Sequence, residues 1–232
     1  MDNKIYEKLE KEIGIKFKDK ELLKRAFVHK SYVNEHRNEK LKHNERLEFL
    51  GDAVLELVAT KHLFDNYPEQ NEGQMTSFRS ALVKGKHLAE VAQKLKLGQY
   101  LFLSNGEEKS GGREKNYILA NTVESLIGAI YVEHDYEQAK DFIKKYILTK
   151  LDEIIEHGLY IDSKSRFQEI CQDKKSFTPF YKVIKEEGPD HDKIFTMGAF
   201  INEELIATGD GSSKQNAEEK AAENALKEKG WN

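Results

Sequence analysis

The sequence predicts an all-α N-terminal region followed by a small α+β unit of αβββα order. Three observations carry that reading. From residue 2 to residue 156 apolar residues recur every three or four positions, the period of a helix with one buried face. Within that span residues 117–133, YILANTVESLIGAIYVE, are apolar almost throughout, which a helix tolerates only when it is wrapped on all sides. From residue 162 the texture changes to one helix, three runs with apolar residues at period two, and a last helix. The boundaries fall at residues 1–152 for the helical domain, 153–160 for a linker and 161–232 for the smaller domain.

The totals narrow the class. A chain of 232 residues holds one or two domains, and 34% charged with 38% hydrophobic residues is ordinary globular composition. No apolar run approaches eighteen residues, and the start, MDNKIYEKLEKEIG, has no apolar core of a signal peptide, so no membrane partner and a cytoplasmic location are expected. Cys171 is the single cysteine, which excludes an intrachain disulfide and a cysteine-based metal site. Lys and Arg number 37 against 41 Asp and Glu, a net charge of −4. Residues 161–232 alone hold 11 basic and 14 acidic residues, so any phosphate binding must come from local clusters.

Taken in order, residues 2–12 form an amphipathic helix with Ile5, Leu9 and Ile13 on one face, stopped at Gly14. Asp19 is a helix N-cap before Leu22, Leu23, Ala26 and Phe27. His29 is either a metal ligand or a structural hydrogen-bonding histidine, and the lack of a second histidine at ligand spacing favours the structural reading. Residues 34–43 are a polar loop, and a long helix starts at residue 44. Pro68 and Gly73 mark another loop, Thr76 is the expected N-cap of the next helix, and residues 104–116, with three glycines, read as a mobile loop. The three strands are residues 179–188, 193–202 and 204–211, and the last helix is residues 214–230.

The chemistry concentrates on residues 44–58, NERLEFLGDAVLELV. At about 100° per residue, Glu45, Glu48 and Asp52 fall within an arc of roughly 60°. Leu47, Leu50, Val54, Leu57 and Val58 lie on the other side, free to be buried. Neighbouring carboxylates repel, so the stripe is either a solvated acidic face or the oxygen-rich half of a site for a hard divalent cation such as Mg²⁺. Glu56 shares the stripe by geometry. In the buried helix Asn121 and Glu124, three apart, are polar residues that require an explanation.

Residues 27–58 closely resemble bacterial ribonuclease III: His29, Ser31 and Tyr32 match its HxSY segment, and residues 45–55 match its ERLEFLGDAVL helix. Glu72, Gly73, Thr76, Arg79, Leu82 and Val83 resemble its EGxxSxxRxxLV block, in which the Glu reaches the active centre; read alone, Glu72 is a surface loop acid. Asn121 and Glu124 resemble the acidic pair of its ILADTVEALIG block, with Asn where that block usually has Asp. Residues 162–232 resemble the double-stranded-RNA-binding domain through TPFYKV, GPDHDKIF and GDGSSKQNAEEKAA.

The resemblance implies an endoribonuclease that hydrolyses double-stranded RNA to 5′-phosphate and 3′-hydroxyl ends and processes rRNA and other structured precursors. It further implies a homodimer with Phe49 at the subunit contact. Glu48, Asp52, Asn121 and Glu124 are the expected Mg²⁺ ligands, with Mn²⁺ as a substitute and no small-molecule cofactor. Asp52 and Glu124 are the expected catalytic residues, and Glu45 and Glu72 lie around them or at a second ion. Gln168, Glu169, His191, Ser213 and Lys214 are the expected RNA contacts, with weaker electrostatics than the family norm because Gln215 and Asn216 occupy usually basic positions. Asn121 leaves an alternative open, a catalytically inactive relative that only binds double-stranded RNA.

Overall fold

The computed structural model describes residues 4–39, 41–160, 162–175, 177–189 and 193–231. It divides into two compact units, Met1–Tyr160 and Ile161–Asn232. The first is all-α and the second α+β, the two classes the periodicities predict. Among the described residues no helix is long and apolar enough to cross a membrane.

The first unit contains α1 (Lys4–Ile13), α2 (Lys20–Ala26), α3 (Lys30–Glu35), α4 (Glu45–Asn66), α5 (Glu72–Leu82), α6 (Gly85–Lys94), α7 (Asn105–Lys109), α8 (Asn116–Glu133), α9 (Tyr136–Tyr146) and α10 (Leu151–Glu156). The nearly all-apolar α8 is the central post: Leu119, Val123, Leu126, Ile127 and Ile130 are buried, and so are Val54, Leu55 and Val58 of α4 and Leu88 and Val91 of α6. Each such side chain contributes about 1.5–3 kcal/mol by leaving water. Asp19 caps α2 as expected, accepting from the Glu21 and Leu22 amides at 2.9 and 3.0 Å.

Helices α4 and α8 cross backbone to backbone. A Cβ on Gly51 would stand 1.7 Å from the Glu124 carbonyl oxygen, and one on Gly128 would stand 2.1 Å from that of Leu47. Only glycine fits at either point.

Four local expectations are corrected. Helix α5 begins at Glu72, not after Thr76, because Asn71 accepts from the Gln74 amide at 2.9 Å while the Gln74 side chain accepts from the Asn71 amide at 3.3 Å. This is a reciprocal capping box. Residues 104–116 are ordered: Ser104 caps α7, Lys115 pairs with Glu107 at 2.6 Å, and the Arg113 guanidinium donates to the carbonyls of Gly98 and Leu101 at 2.8 and 3.0 Å. Leu57, placed on the buried side of its helix, is 56% exposed. In residues 153–160, Ile154 is buried and the Tyr160 ring meets Phe78 edge-on, so this segment packs on the first unit.

The second unit is α11 (Ser163–Lys175), β1 (Phe180–Glu187), β2 (Ile194–Ile201), β3 (Glu204–Gly211) and α12 (Lys214–Glu228), with an antiparallel sheet in the order β1-β2-β3. Its core joins Phe167 and Cys171 of α11 to Met197, Ala199 and the alanines 217, 221, 222 and 225 of α12. Gly209 and Gly211 let β3 approach that alanine face, since their Cβ atoms would meet the backbone nitrogens of Ala221 and Ala217 at 2.2 and 2.5 Å.

Candidate active site

The acidic cleft is built where the beginning of α4 is tied down. Asn44, at the N-cap position of α4, does not cap the helix. Its side-chain amide instead donates to the Ala26 carbonyl and to Ser125 Oγ, both at 3.4 Å, and its backbone amide donates to the Val28 carbonyl at 2.9 Å. Ser125 Oγ–H also donates to the Ala26 carbonyl, at 2.7 Å. These buried bonds join the end of α2, the start of α4 and the middle of α8, and an unsatisfied polar group in their place would cost about 1–3 kcal/mol. With the Gly51 contact, they set Glu48 and Asp52 of α4 against Asn121 and Glu124 of α8.

Electrostatics show how closely these groups face one another. Burial pushes the Glu124 carboxyl up to about 7, with the Asp52 and Glu48 charges adding to the shift. Glu48 is raised as well, by burial and by Glu45, while a hydrogen bond from the Asn121 amide and the nearby Lys30 charge pull it the other way. Asn121 therefore acts as a donor that helps hold Glu48 ionised. Among the described residues Glu48, Asp52 and Glu124 form no ion pair, and no three His, Cys, Asp or Glu side chains converge tightly enough to hold a metal ion already. Three mutually repelling carboxylates and an amide form an oxygen donor set suited to a hard divalent cation.

The other expected residues are placed differently. Glu45 is half-exposed and paired with Lys30 Nζ at 3.2 Å, and His43 Nδ1 lies 3.4 Å from it. Glu72 stands exposed on the first turn of α5 with no hydrogen bond or ion pair to the other acids among the described residues. Glu56 is held by Arg79 at 2.8 Å, a structural pair between α4 and α5. His29 Nδ1 accepts from the Ser31 amide at 3.3 Å and lies 2.8 Å from Ser31 Oγ, and burial lowers its pKa, in keeping with a structural role. Lys30 and His43 were missed from sequence, because their importance comes from partners that only the tertiary fold supplies.

In the second unit Gln168 and Glu169 are exposed on α11. Ser213 caps α12 by accepting from the Asn216 amide at 3.2 Å. Lys214 is exposed, 3.4 Å from Glu186 and 5.6 Å from the centre of the Phe195 ring. His191 lies outside the described residues.

The arrangement defines a helical unit with an acidic, partly desolvated cleft, followed by an αβββα unit with an exposed polar helix face. Residues 19–151 match the family model described as ribonuclease-III-like, and residues 163–229 match that of the double-stranded RNA binding motif. Ribonuclease 3 of Enterococcus faecalis is 45% identical over 228 residues, 98% of each chain. Ribonuclease 3 of Carboxydothermus hydrogenoformans is 45% identical over 226 residues, 97% of this chain and 96% of its own. A solved nuclease domain of ribonuclease III from Campylobacter jejuni is 43% identical, with a TM-score of 0.57 over 62% of this chain and 96% of its own. The chain belongs to the ribonuclease III family.

Proposed function

We propose that the cleft between α4 and α8 is the catalytic centre of an endoribonuclease that hydrolyses double-stranded RNA, with residues 1–152 cutting and residues 161–232 supplying most of the hold on the duplex. The observation that carries the reading is Glu124, raised to about 7 by burial beside Asp52 and Glu48 without a cationic partner. Strongly perturbed carboxylates in a cleft are candidates for a functional site. Glu48, Asp52, Asn121 and Glu124 would hold Mg²⁺, which Mn²⁺ can replace, and Glu45 and Glu72 would serve around it or at a second ion. A bound divalent cation supplies Lewis acidity, lowering the pKa of a water and offsetting charge on the leaving oxygen.

The chain's own residues orient and hold charge. Glu48 is kept ionised by the Asn121 amide, Asp52 and Glu124 are the catalytic carboxylates, and Glu124 must lose its proton for the site to load. Water adds to phosphorus as the bond to the 3′ oxygen breaks, leaving 5′-phosphate and 3′-hydroxyl ends. Gln168, Glu169, His191, Ser213 and Lys214 are the proposed groove and phosphate contacts. The proposal includes a cytoplasmic location and action on rRNA and other structured precursors.

Two cleft copies would cut both strands, and an exposed apolar stripe on α4 supports a homodimer. Phe49 is 81% exposed, Phe64 69% and Leu57 56%, and their spacing puts all three on one helix face. The Campylobacter jejuni structure is itself described by a region involved in dimer formation. The inactive alternative has less behind it, since Glu48, Asp52 and Glu124 all remain. The deciding experiment is incubation of the full chain with long duplex RNA, with and without Mg²⁺. Mg²⁺-dependent shortening is expected, and binding with no cutting at any Mg²⁺ concentration would establish the alternative.

A further inference from the structure

Within the negative chain, residues 16–46 hold ten Lys and Arg against five Asp and Glu. Some of these cations are neutralised locally, such as Lys20 on Glu10 and Lys30 on Glu45. Lys24, Arg25 and Lys42 are not. They line one cleft of about 190 Å³ together with Glu21, Val28 and Leu41, and among the described residues none of the three forms an ion pair. Arg25 uses Nε on the His43 carbonyl, at 3.3 Å, and Lys24 Nζ lies 5.5 Å from the centre of the Phe102 ring. Three cationic side chains and one carboxylate thus line the same cleft.

A helix C-terminus favours cations, which accounts for Lys24 and Arg25 in the last turn of α2. It does not account for Lys42, which arrives from a separate segment and adds a third like charge. Convergence of this kind raises the free energy of the empty cleft, and an anion offsets it.

The location limits which anion. The Arg25 bond to His43 and the Asn44 bond to Val28 fasten this cleft to the start of α4, immediately before the acid stripe. Glu48 and Asp52 follow at roughly 6 and 12 Å along the helix axis from Asn44. That is the span of a few nucleotides at about 3.4 Å each along one strand.

Resting on the function proposed above, we infer that Lys24, Arg25 and Lys42 hold backbone phosphates of the duplex RNA a few nucleotides from the bond that is cut. The nuclease unit then contributes its own phosphate clamp beside an acidic centre that repels the same backbone. Each contact releases condensed counterions, so the clamp has a signature in salt dependence.

The test is binding of a defined RNA duplex to the full chain in Ca²⁺ across a range of salt concentrations, for the native chain and a Lys24→Gln/Lys42→Gln variant. The logarithmic salt slope should become shallower by about 0.9 per lost contact, near two for the pair, with affinity at low salt down by on the order of tenfold. Lys24→Arg/Lys42→Arg should retain the native slope. So should Lys140→Gln, whose lysine is already paired with Glu137. An unchanged slope and affinity in the Gln variant, while the native chain binds and cuts duplex, would overturn the clamp alone. A native chain that neither binds nor cuts duplex would overturn the function and the clamp together.

Discussion

Both units pair most of their charges locally, but the first leaves one cluster of acids without a cation. In the second, Glu223 sits between Lys220 at 2.8 Å and Lys227 at 2.5 Å, which hold its carboxyl down to about 2, Lys164 lies on Glu218 at 2.6 Å, and Lys214 stands near Glu186 at 3.4 Å. In the first, Glu124 is raised to about 7 among other acids. Charge that is answered locally adds little to stability, since exposed pairs contribute about 0–1 kcal/mol. Charge left unanswered in a partly desolvated cleft raises the free energy of the fold and points to a ligand. Lys214 can leave Glu186 for a phosphate at small cost, whereas the acids between α4 and α8 have no cation to leave.

The strongest way to break this contrast is to delete a cleft carboxylate. Asp52→Ala or Glu124→Ala should lower cleavage by roughly 10³-fold or more while duplex binding in Ca²⁺ and the unfolding temperature persist. Loss of binding together with a much lower unfolding temperature would make those acids structural. Removing the second unit tests the other side: residues 1–160 alone should still dimerise but bind duplex RNA roughly 10- to 100-fold more weakly at physiological salt. Equal affinity for the short and full chains would end the division of labour. Phe49→Ala should weaken self-association by about 2 kcal/mol, read as a shift toward monomer in sedimentation, with monomer stability unchanged. An unshifted profile would move the dimer contact elsewhere.

The charge itself can be titrated. The Glu124 carboxyl has an ordinary value of 4.5 when the chain is unfolded and about 7 when folded, so the folded state binds the proton more tightly. Its destabilising contribution is absent below about 4.5, grows as pH rises, and is complete above about 7. Discounted for partial exposure it amounts to about 1–3 kcal/mol. In chelator, Glu124→Gln should therefore gain thermal stability over the native chain at pH 8 but not at pH 4, and Mg²⁺ should close the gap. A gap independent of pH would contradict the assignment. The smallest effect is expected at Asn121, where Asp replaces a donor to Glu48 with another charge. Asn121→Asp should reduce the Mg²⁺ concentration for half-maximal cleavage by about two- to fivefold and lower the unfolding temperature in chelator. Full rescue of an otherwise inactive chain by this change would instead identify position 121 as the inactivating difference.

Much of this was legible in the residues because it is periodic. The acid stripe of α4, the buried post α8 and the αβββα order each follow from spacing alone, as does the Asp19 cap. What spacing does not reveal depends on distant partners. Leu57 looks like a core residue in a helix with two faces, yet α4 has a third, apolar and exposed. The 104–116 segment reads as mobile because its glycines are visible, whereas the carbonyls of Gly98 and Leu101 that hold Arg113 are not. Glu45 looks equivalent to Glu48 until Lys30 and His43 are seen beside it. The Asn71 box is legible in the residues, since Asn and Gln stand three apart, and it competes there with Thr76 as a start signal.

The glycine contacts between α4 and α8 have a mechanical consequence. Where helices meet through side chains, rotamer changes let them slide or breathe by fractions of an ångström; where backbone meets backbone at Gly51 and Gly128, there is no side chain to rearrange. The scaffold under the carboxylates behaves as a stiff frame, and adjustment to what enters the cleft falls to the torsions of Glu48, Asp52 and Glu124. At the proposed ion site, a rigid base carrying short arms would select firmly for charge and loosely for radius, so ions of similar hardness and slightly different size should be accommodated by the arms without moving the frame.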